Sequence, residues 1–81
     1  MSLDLTQLQA QVADELRKAQ GKFPGFHSAH EGYAVILEEL EELWDEIKKR
    51  PSELRRDLMR LEAIQVAAMA MRFIIDVEGD K

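Results

Sequence analysis

The sequence predicts an all-α domain, a helical bundle of three main helices that oligomerisation completes. Apolar residues recur every three to four positions in three segments, and glycine or proline turn signals separate these segments. The chain has 81 residues and no cysteine, so we expect a single domain, residues 1–81, without disulfides or thiolate metal sites. Because so short a chain buries only a modest core, a second copy is the expected supplement.

The first helix is predicted to end near Gly21, which is a natural helix C-cap. The turn that follows contains Pro24 and Gly25 between Phe23 and Phe26. We expect the two rings to anchor this turn against the helices, with stacking on a nucleobase as the alternative. The helical spacing rests on Leu5, Leu8, Val12, Leu16 and Ala19.

The second helix is predicted to begin at Ser28, because Ser28 and Glu31 fit a capping box. It is expected to end in the basic run 48–50, where the helix dipole favours cations, and Pro51 then breaks it. One apolar stripe follows the helical period and is the expected core-facing side. Its members are Tyr33, Ile36, Leu37, Leu40, Leu43, Trp44 and Ile47.

The third helix is predicted over about residues 52–76. The stretch 66–71 is apolar nearly all round, which predicts burial on more than one side, in a bundle interior or a subunit interface. Residues 79–81 are expected to form a frayed end.

Carboxylates are crowded into the second helix, in the run Glu38-Glu39-Leu40-Glu41-Glu42 and again at Glu46. Like charges four residues apart on a helix each cost about 0.2–0.5 kcal/mol unless a cation offsets them. A hard divalent cation such as Mg²⁺ prefers such oxygen ligands, and a solvated acidic face is the alternative. The spacing favours Glu39, Glu42 and Glu46 as the ligand patch, with Glu38 and Glu42 pointing largely away from the apolar stripe. An antiparallel third helix would bring Glu62 to this patch.

The runs 38–42 and 62–65 resemble the paired EExxE and ExxD motifs of the MazG-like family of all-α nucleoside triphosphate pyrophosphohydrolases, over about residues 28–76. The resemblance implies that Glu39, Glu42 and Glu62 bind Mg²⁺, or alternatively Mn²⁺. Gln65 stands where the family has its final Asp. Its amide oxygen can still be a ligand but brings no charge. Glu46 and Asp76 are candidate substitutes for the missing acid. A catalytically inactive oligomerisation or nucleotide-sensing module is the alternative function.

The implied reaction cleaves a nucleoside triphosphate between its α- and β-phosphates and gives a nucleoside monophosphate and pyrophosphate. Glu38 is then the candidate general base, since it is an acid not used as a ligand. Lys48 and Lys49 are candidate phosphate-binding residues, although their place at a helix end also explains them. Arg72, on the same helix face as Glu62, is the more selective candidate.

The charge and the hydropathy of the chain argue against two other classes of protein, those that bind nucleic acid polymers and those that associate with membranes. The net charge of −5 argues against a nucleic acid polymer as partner, because such a surface is normally basic. No apolar run approaches the roughly 20 residues that span a bilayer, so we expect no membrane association and a cytoplasmic protein. The expected partners are a nucleoside triphosphate and a second copy of the chain, in a homodimer or homotetramer.

Overall fold

A computed structural model describes residues 3–78 and confirms an all-helical domain of three helices. These are α1 (Leu5–Lys22), α2 (Ala29–Ile47) and α3 (Glu53–Val77), and no strand occurs within the described range. The predicted boundaries agree with the observed ones to within three residues. None of the helices in this range is both long and apolar enough to cross a membrane. The frayed end predicted at 79–81 lies outside the described residues.

Side-chain caps begin the helices where the sequence places short polar residues. Asp4 and Gln7 form a complete capping box at α1: the Asp4 carboxylate accepts from Gln7 N at 2.8 Å, and Gln7 Oε1 accepts from Asp4 N at 3.0 Å. At α2 the Ser28 hydroxyl accepts from Glu31 N at 3.1 Å, as predicted. Glu31 Oε1 accepts from His27 N at 3.4 Å, one residue before the cap. The Asp4, Gln7 and Glu31 amides are among those that the first helical turn leaves open. His27 N lies one residue before the cap, so the Glu31 contact differs from the capping-box bond predicted at Ser28 N.

The predicted C-cap at Gly21 is wrong. Gly21 lies inside α1, no glycine among residues 3–78 has positive φ, and the chain leaves the helix at Phe23 in extended conformation. A side chain from α3 fixes this end: Arg72 donates to Ala19 O at 3.0 Å and to Phe23 O at 2.7 Å. These two bonds tie the last turn of α1 to α3, and Ala19 O also accepts from Phe23 N at 3.0 Å.

Helix α3 is the central element, and α1 and α2 both pack on it without packing closely on each other. Asp76 near the end of α3 accepts from Phe26 N before α2 at 2.9 Å, so α2 and α3 are antiparallel. The α1–α3 pair runs in the same direction, because Arg72 meets the end of α1. Helix α3 is therefore covered on two sides, and Ala68 is 0% exposed. The burial predicted for the stretch 66–71 is observed in part, because Ala67, Ala70 and Met71 are exposed.

The core of one chain is thin. It has five buried apolar residues, and no large side chain in the described range is fully buried. Partly buried apolar residues from α1, α2 and the turn before α2 extend it. A core of this size is marginal for a chain of this length. Its buried members are Val12, Leu16, Ile64, Ala68 and Met69.

Most of the apolar stripe of α2 is exposed, which corrects the prediction, although its member Ile36 packs against the core. Tyr33 is 65% exposed and Trp44 is 55% exposed, while Gly32 and Glu46 on another side of the helix are buried. Gly32 helps to explain why this side of α2 faces α3, because a Cβ at this position would lie 2.6 Å from Phe73 Cδ2. Only glycine allows α2 to approach α3 this closely, and the approach turns the acidic flank of α2 inward.

Candidate metal centre and the adjoining cleft

Three carboxylates meet between α2 and α3. Glu39 and Glu42 lie one turn apart on α2, Glu62 lies on α3, and one oxygen from each lies within 4.8 Å of the other two. The predicted approach of Glu62 to the α2 acids is therefore observed. Glu42, which the helical spacing places away from the apolar stripe, lies on the side of α2 that approaches Glu62. We call Glu39, Glu42 and Glu62 the acidic cluster.

Burial and mutual repulsion make this cluster costly to ionise. Burial raises the pKa of Glu39 from 4.5 to about 7, and the charge of Glu42, a hydrogen bond with Glu42 and the charge of Glu62 add to the effect. The pKa of Glu62 is also raised, first by burial and then by Glu42. Near neutral pH the cluster therefore retains part of a proton unless another positive charge replaces it.

Two oxygens of the cluster have no hydrogen-bond donor. Glu39 Oε2 and Glu62 Oε2 are buried, and neither has a partner within residues 3–78. A buried acceptor without a partner costs about 1–3 kcal/mol. A cation bound by oxygens would satisfy both atoms and offset the repulsion. Carboxylates alone form a hard ligand set, which suits Mg²⁺ or Mn²⁺ better than a soft metal. The residues therefore fit such an ion.

Glu46 lies next to the acidic cluster but has a different partner. Its side chain is buried and accepts from Lys49 Nζ at 2.6 and 2.9 Å. Its charge contributes to the raised pKa of Glu62. Lys49 neutralises Glu46 in this arrangement, so Glu46 closes one end of the cluster as part of an ion pair.

A cleft of about 570 Å³ opens beside the cluster. It lies between α1 and α2, with α3 as its floor, because α3 holds the two helices apart. We call it the α1–α2 cleft. Of the three residues of the acidic cluster, Glu39 also lines the cleft, so the cluster borders the cleft at this residue. Its other lining residues are Glu15, Lys18, Ala19, Lys22, Phe23, Pro24, Phe26, Glu31, Val35, Glu38, Gln65, Met69 and Arg72.

Glu38 and Gln65, the candidate base and the amide at the expected aspartate position, both line this cleft. Glu38 is exposed and precedes the partly buried Glu39. Gln65 lies one turn after Glu62 on the cleft floor. Both residues can therefore contact a ligand in the cleft, and their chemical roles stay predictions.

The three predicted phosphate-binding residues have other partners. Arg72 is 3% exposed, and besides the two carbonyls that end α1 it donates from Nε to Asp76 at 3.0 Å. Lys48 pairs with Asp45 at 3.2 Å, and Lys49 pairs with Glu46. Arg72 thus ties α1 to α3. Lys48 and Lys49 follow the end of α2 and neutralise carboxylates of its last turn, away from the cleft lining. Arg72 also lines the cleft, and the expectation that it is the more selective phosphate-binding residue stays a prediction.

Sequence reasoning missed two lysines on the cleft wall. Lys18 and Lys22 both line the cleft from α1. No motif marks them. The sequence does show that the two lysines are four residues apart on the polar side of an amphipathic helix. This spacing could be linked to the site only once the structure showed that α1 faces the acidic side of α2.

The two aromatic residues of the turn differ in their surroundings. Phe26 packs against the core, with the Arg72 guanidinium 5.5 Å from its ring centre, as expected for an anchor. Phe23 is 63% exposed at the mouth of the cleft, so the prediction that it anchors the turn is wrong. Its ring is available to a ligand.

Comparisons of this chain with protein-family models, with curated proteins and with solved structures find no match. The functional assignment therefore rests on the acidic cluster, the cleft and the motif resemblance.

Proposed function

We propose that this chain is a Mg²⁺-dependent nucleoside triphosphate pyrophosphohydrolase of the MazG-like type, with Mn²⁺ as an alternative ion. The observation that carries the proposal is the acidic cluster beside an open cleft, with two buried oxygens that lack partners. The resemblance of the two motifs to the MazG-like family supplies the reaction. A nucleoside triphosphate and water give a nucleoside monophosphate and pyrophosphate.

Glu39, Glu42 and Glu62 would hold the ion. When bound, the ion would neutralise phosphate charge and lower the pKa of water. The chain's own contribution is to fix the three carboxylates on two packed helices, so that little reorganisation is needed on binding. Gln65 adds a neutral amide to the cleft floor, where its oxygen can accept and its nitrogen can donate.

Glu38 is the proposed general base. It lines the cleft next to Glu39 on α2 and is exposed, so it can contact a water in the cleft. As the water oxygen bonds to the α-phosphorus and the bond to the bridging oxygen breaks, Glu38 accepts the proton that the water loses. Pyrophosphate leaves with the bridging oxygen.

The exposed stripe of α2 supports a homo-oligomer, a dimer or a tetramer, as part of the proposal. Large apolar side chains line one side of this helix, and the core of one chain is thin. Contiguous apolar surface of this kind marks interaction sites in proteins of this class. A second copy would cover the stripe without covering the α1–α2 cleft. The proposed place of action is the cytoplasmic nucleotide pool.

A catalytically inactive helical module is the second candidate, and Gln65 is the observation that favours it. With Gln65 in place of an acid, the cluster has three carboxylates rather than four. Such a module would keep the fold and the oligomer, and would bind a nucleotide without cleaving it.

The test is pyrophosphate release from a panel of canonical and damaged ribo- and deoxyribonucleoside triphosphates, with Mg²⁺ and with Mn²⁺. We expect release that depends on the ion and is lost in Glu42→Gln. The matched control is Glu41→Gln, which removes the same charge from an exposed position on the same helix and is expected to retain activity.

Absence of release from every nucleotide, by folded wild-type protein with either ion, would reject the enzyme in favour of the inactive module. Equal loss of activity in Glu41→Gln and Glu42→Gln would show that the reaction depends on the overall negative charge of α2 rather than on the acidic cluster.

A further inference from the structure

The two walls of the α1–α2 cleft carry charged side chains of opposite sign. The α2 wall presents Glu38 and Glu39, and the α1 wall presents Lys18 and Lys22. The floor on α3 holds them apart, since α1 and α2 do not pack closely on each other. A ligand that bridges the walls must therefore offer positive charge to α2 and negative charge to α1.

Both α1 lysines are exposed and have no ion pair or hydrogen bond within residues 3–78. This distinguishes them from Lys48 and Lys49, which are paired with carboxylates of α2. Four residues of helix separate the two α carbons by about 6 Å along the axis. Their flexible side chains can therefore reach neighbouring charged groups on one extended anion.

We propose that Lys18 and Lys22 bind the polyphosphate chain of a nucleotide whose cation lies in the acidic cluster. This inference rests on the proposed function and names the residues on the phosphate side of the same site. The lysine ammonium groups donate charge-assisted hydrogen bonds to phosphate oxygens. Arg72 does not take this role, because it is bonded to the end of α1 and to Asp76.

The remaining acids of the cleft select for a ligand that carries its own cation. Glu15 lies one turn before Lys18 on α1, and Glu31 lies near the other end of the α2 wall. With Glu38 and Glu39 they give the cleft more acids than free lysines. A free polyphosphate anion would be repelled by this surplus, whereas a Mg²⁺ complex brings charge that offsets it. Binding is therefore expected to require the divalent ion.

The probe is inorganic tripolyphosphate, titrated by calorimetry into the full chain with and without Mg²⁺. We expect wild-type protein to bind it only with Mg²⁺, and the double variant Lys18→Gln/Lys22→Gln to bind about tenfold more weakly. The matched control is Lys48→Gln, an exposed lysine outside the cleft lining, which is expected to keep the wild-type Kd within about twofold. All three substituted lysines are exposed, so the variants keep the fold, and circular dichroism verifies this.

Pyrophosphate release in the same preparations separates this inference from the proposed function. If wild-type protein binds tripolyphosphate through the lysines but releases no pyrophosphate, the enzyme proposal fails and the lysine site stands. If it is active, the double variant raises KM about tenfold while kcat changes less than about threefold. Equal Kd values in the wild type and the double variant, or no binding by the wild type with Mg²⁺, would overturn the lysine proposal.

Discussion

Replacing Glu39 by Gln is expected to stabilise the metal-free fold at alkaline pH while removing its response to Mg²⁺. The folded-state pKa of Glu39 is raised from 4.5 to about 7, mainly by burial. Below pH 4.5 the carboxyl group is protonated in both states, so its raised pKa does not lower the free energy of unfolding. As pH rises from 4.5 through the folded-state pKa, ionisation favours the unfolded state and the free energy of unfolding falls. Metal-free wild-type protein should therefore lose stability between about pH 4.5 and 7, and Glu39→Gln should lose less.

The magnitude follows from the same pKa values. At 1.36 kcal/mol for each pH unit, the rise from 4.5 to about 7 sets an upper limit near 3 kcal/mol. Glu39 is only partly buried, so water screening reduces the expected gain in unfolding free energy at pH 8 to about 1–2 kcal/mol. For a domain of this size, that gain corresponds to a Tm increase of roughly 4–16 °C, at 4–8 °C for each kcal/mol.

The assay is thermal unfolding by circular dichroism at pH 5 and pH 8, at one protein concentration, with EDTA or with excess Mg²⁺. Glu41→Gln controls for the loss of one charge from the same exposed stretch of α2. Mg²⁺ should raise the Tm of the wild type more at pH 8 than at pH 5, because binding displaces the proton held by the cluster. An unchanged or lowered Tm for Glu39→Gln at pH 8 in EDTA would refute the reasoning, as would equal Mg²⁺ stabilisation of this variant and the wild type.

Five further substitutions test the packing and the site. Gly32→Ala should cost about 1–3 kcal/mol by urea unfolding, because its Cβ would meet the Phe73 ring at 2.6 Å; a neutral result would show that α2 can shift freely. Arg72→Met should cost about 2–4 kcal/mol in the same assay, since it leaves the Ala19 and Phe23 carbonyls and the Asp76 carboxylate without this donor. Leu40→Glu should lower the sedimentation mass to that of a monomer, unless the exposed stripe is not the interface. Gln65→Asp should raise Mg²⁺ affinity roughly tenfold by calorimetry, and no change would place Gln65 outside the ion's ligand shell. Phe23→Ala should raise KM for nucleotides but leave tripolyphosphate binding unchanged, as expected for a ring that stacks on a base.

The helices could be predicted from the sequence because local signals specify them. Short polar caps such as Ser28, a helix-breaking Pro51 and apolar periodicity all act within a few residues of the boundary that they define. The end of α1 at Phe23 could not be predicted in the same way. It depends on Arg72, which is about fifty positions away in sequence and becomes a neighbour only when α1 packs on α3.

The side of α2 that faces α3 also could not be predicted, for a physical reason. Burial of apolar area normally decides which face of an amphipathic helix turns inward, and it favours the stripe that contains Leu40 and Trp44. In one chain the close approach at Gly32 turns a different side inward, with Glu39 and Glu42 on it. The motif spacing nevertheless identified the acids that meet Glu62, since three-residue spacing keeps two residues on one face whichever face is packed.

The orientation of α2 links the two unusual features of this fold. If α2 packed its apolar stripe on α3, one chain would bury more apolar area, but Glu39 and Glu42 would lie in solvent and no cluster would form with Glu62. The observed orientation leaves apolar area exposed and places repelling carboxylates between two helices, so a single metal-free chain carries two destabilising features. A second copy on the exposed stripe would offset the first, and a divalent ion in the cluster would offset the second. Because the two sites lie on different sides of α2, Mg²⁺ and self-association should each stabilise the protein without requiring the other. Measuring Tm across protein concentration with and without Mg²⁺ tests this: additive shifts are expected, and a Mg²⁺ shift that vanishes in the monomeric Leu40→Glu variant would show that the ion site needs the partner copy.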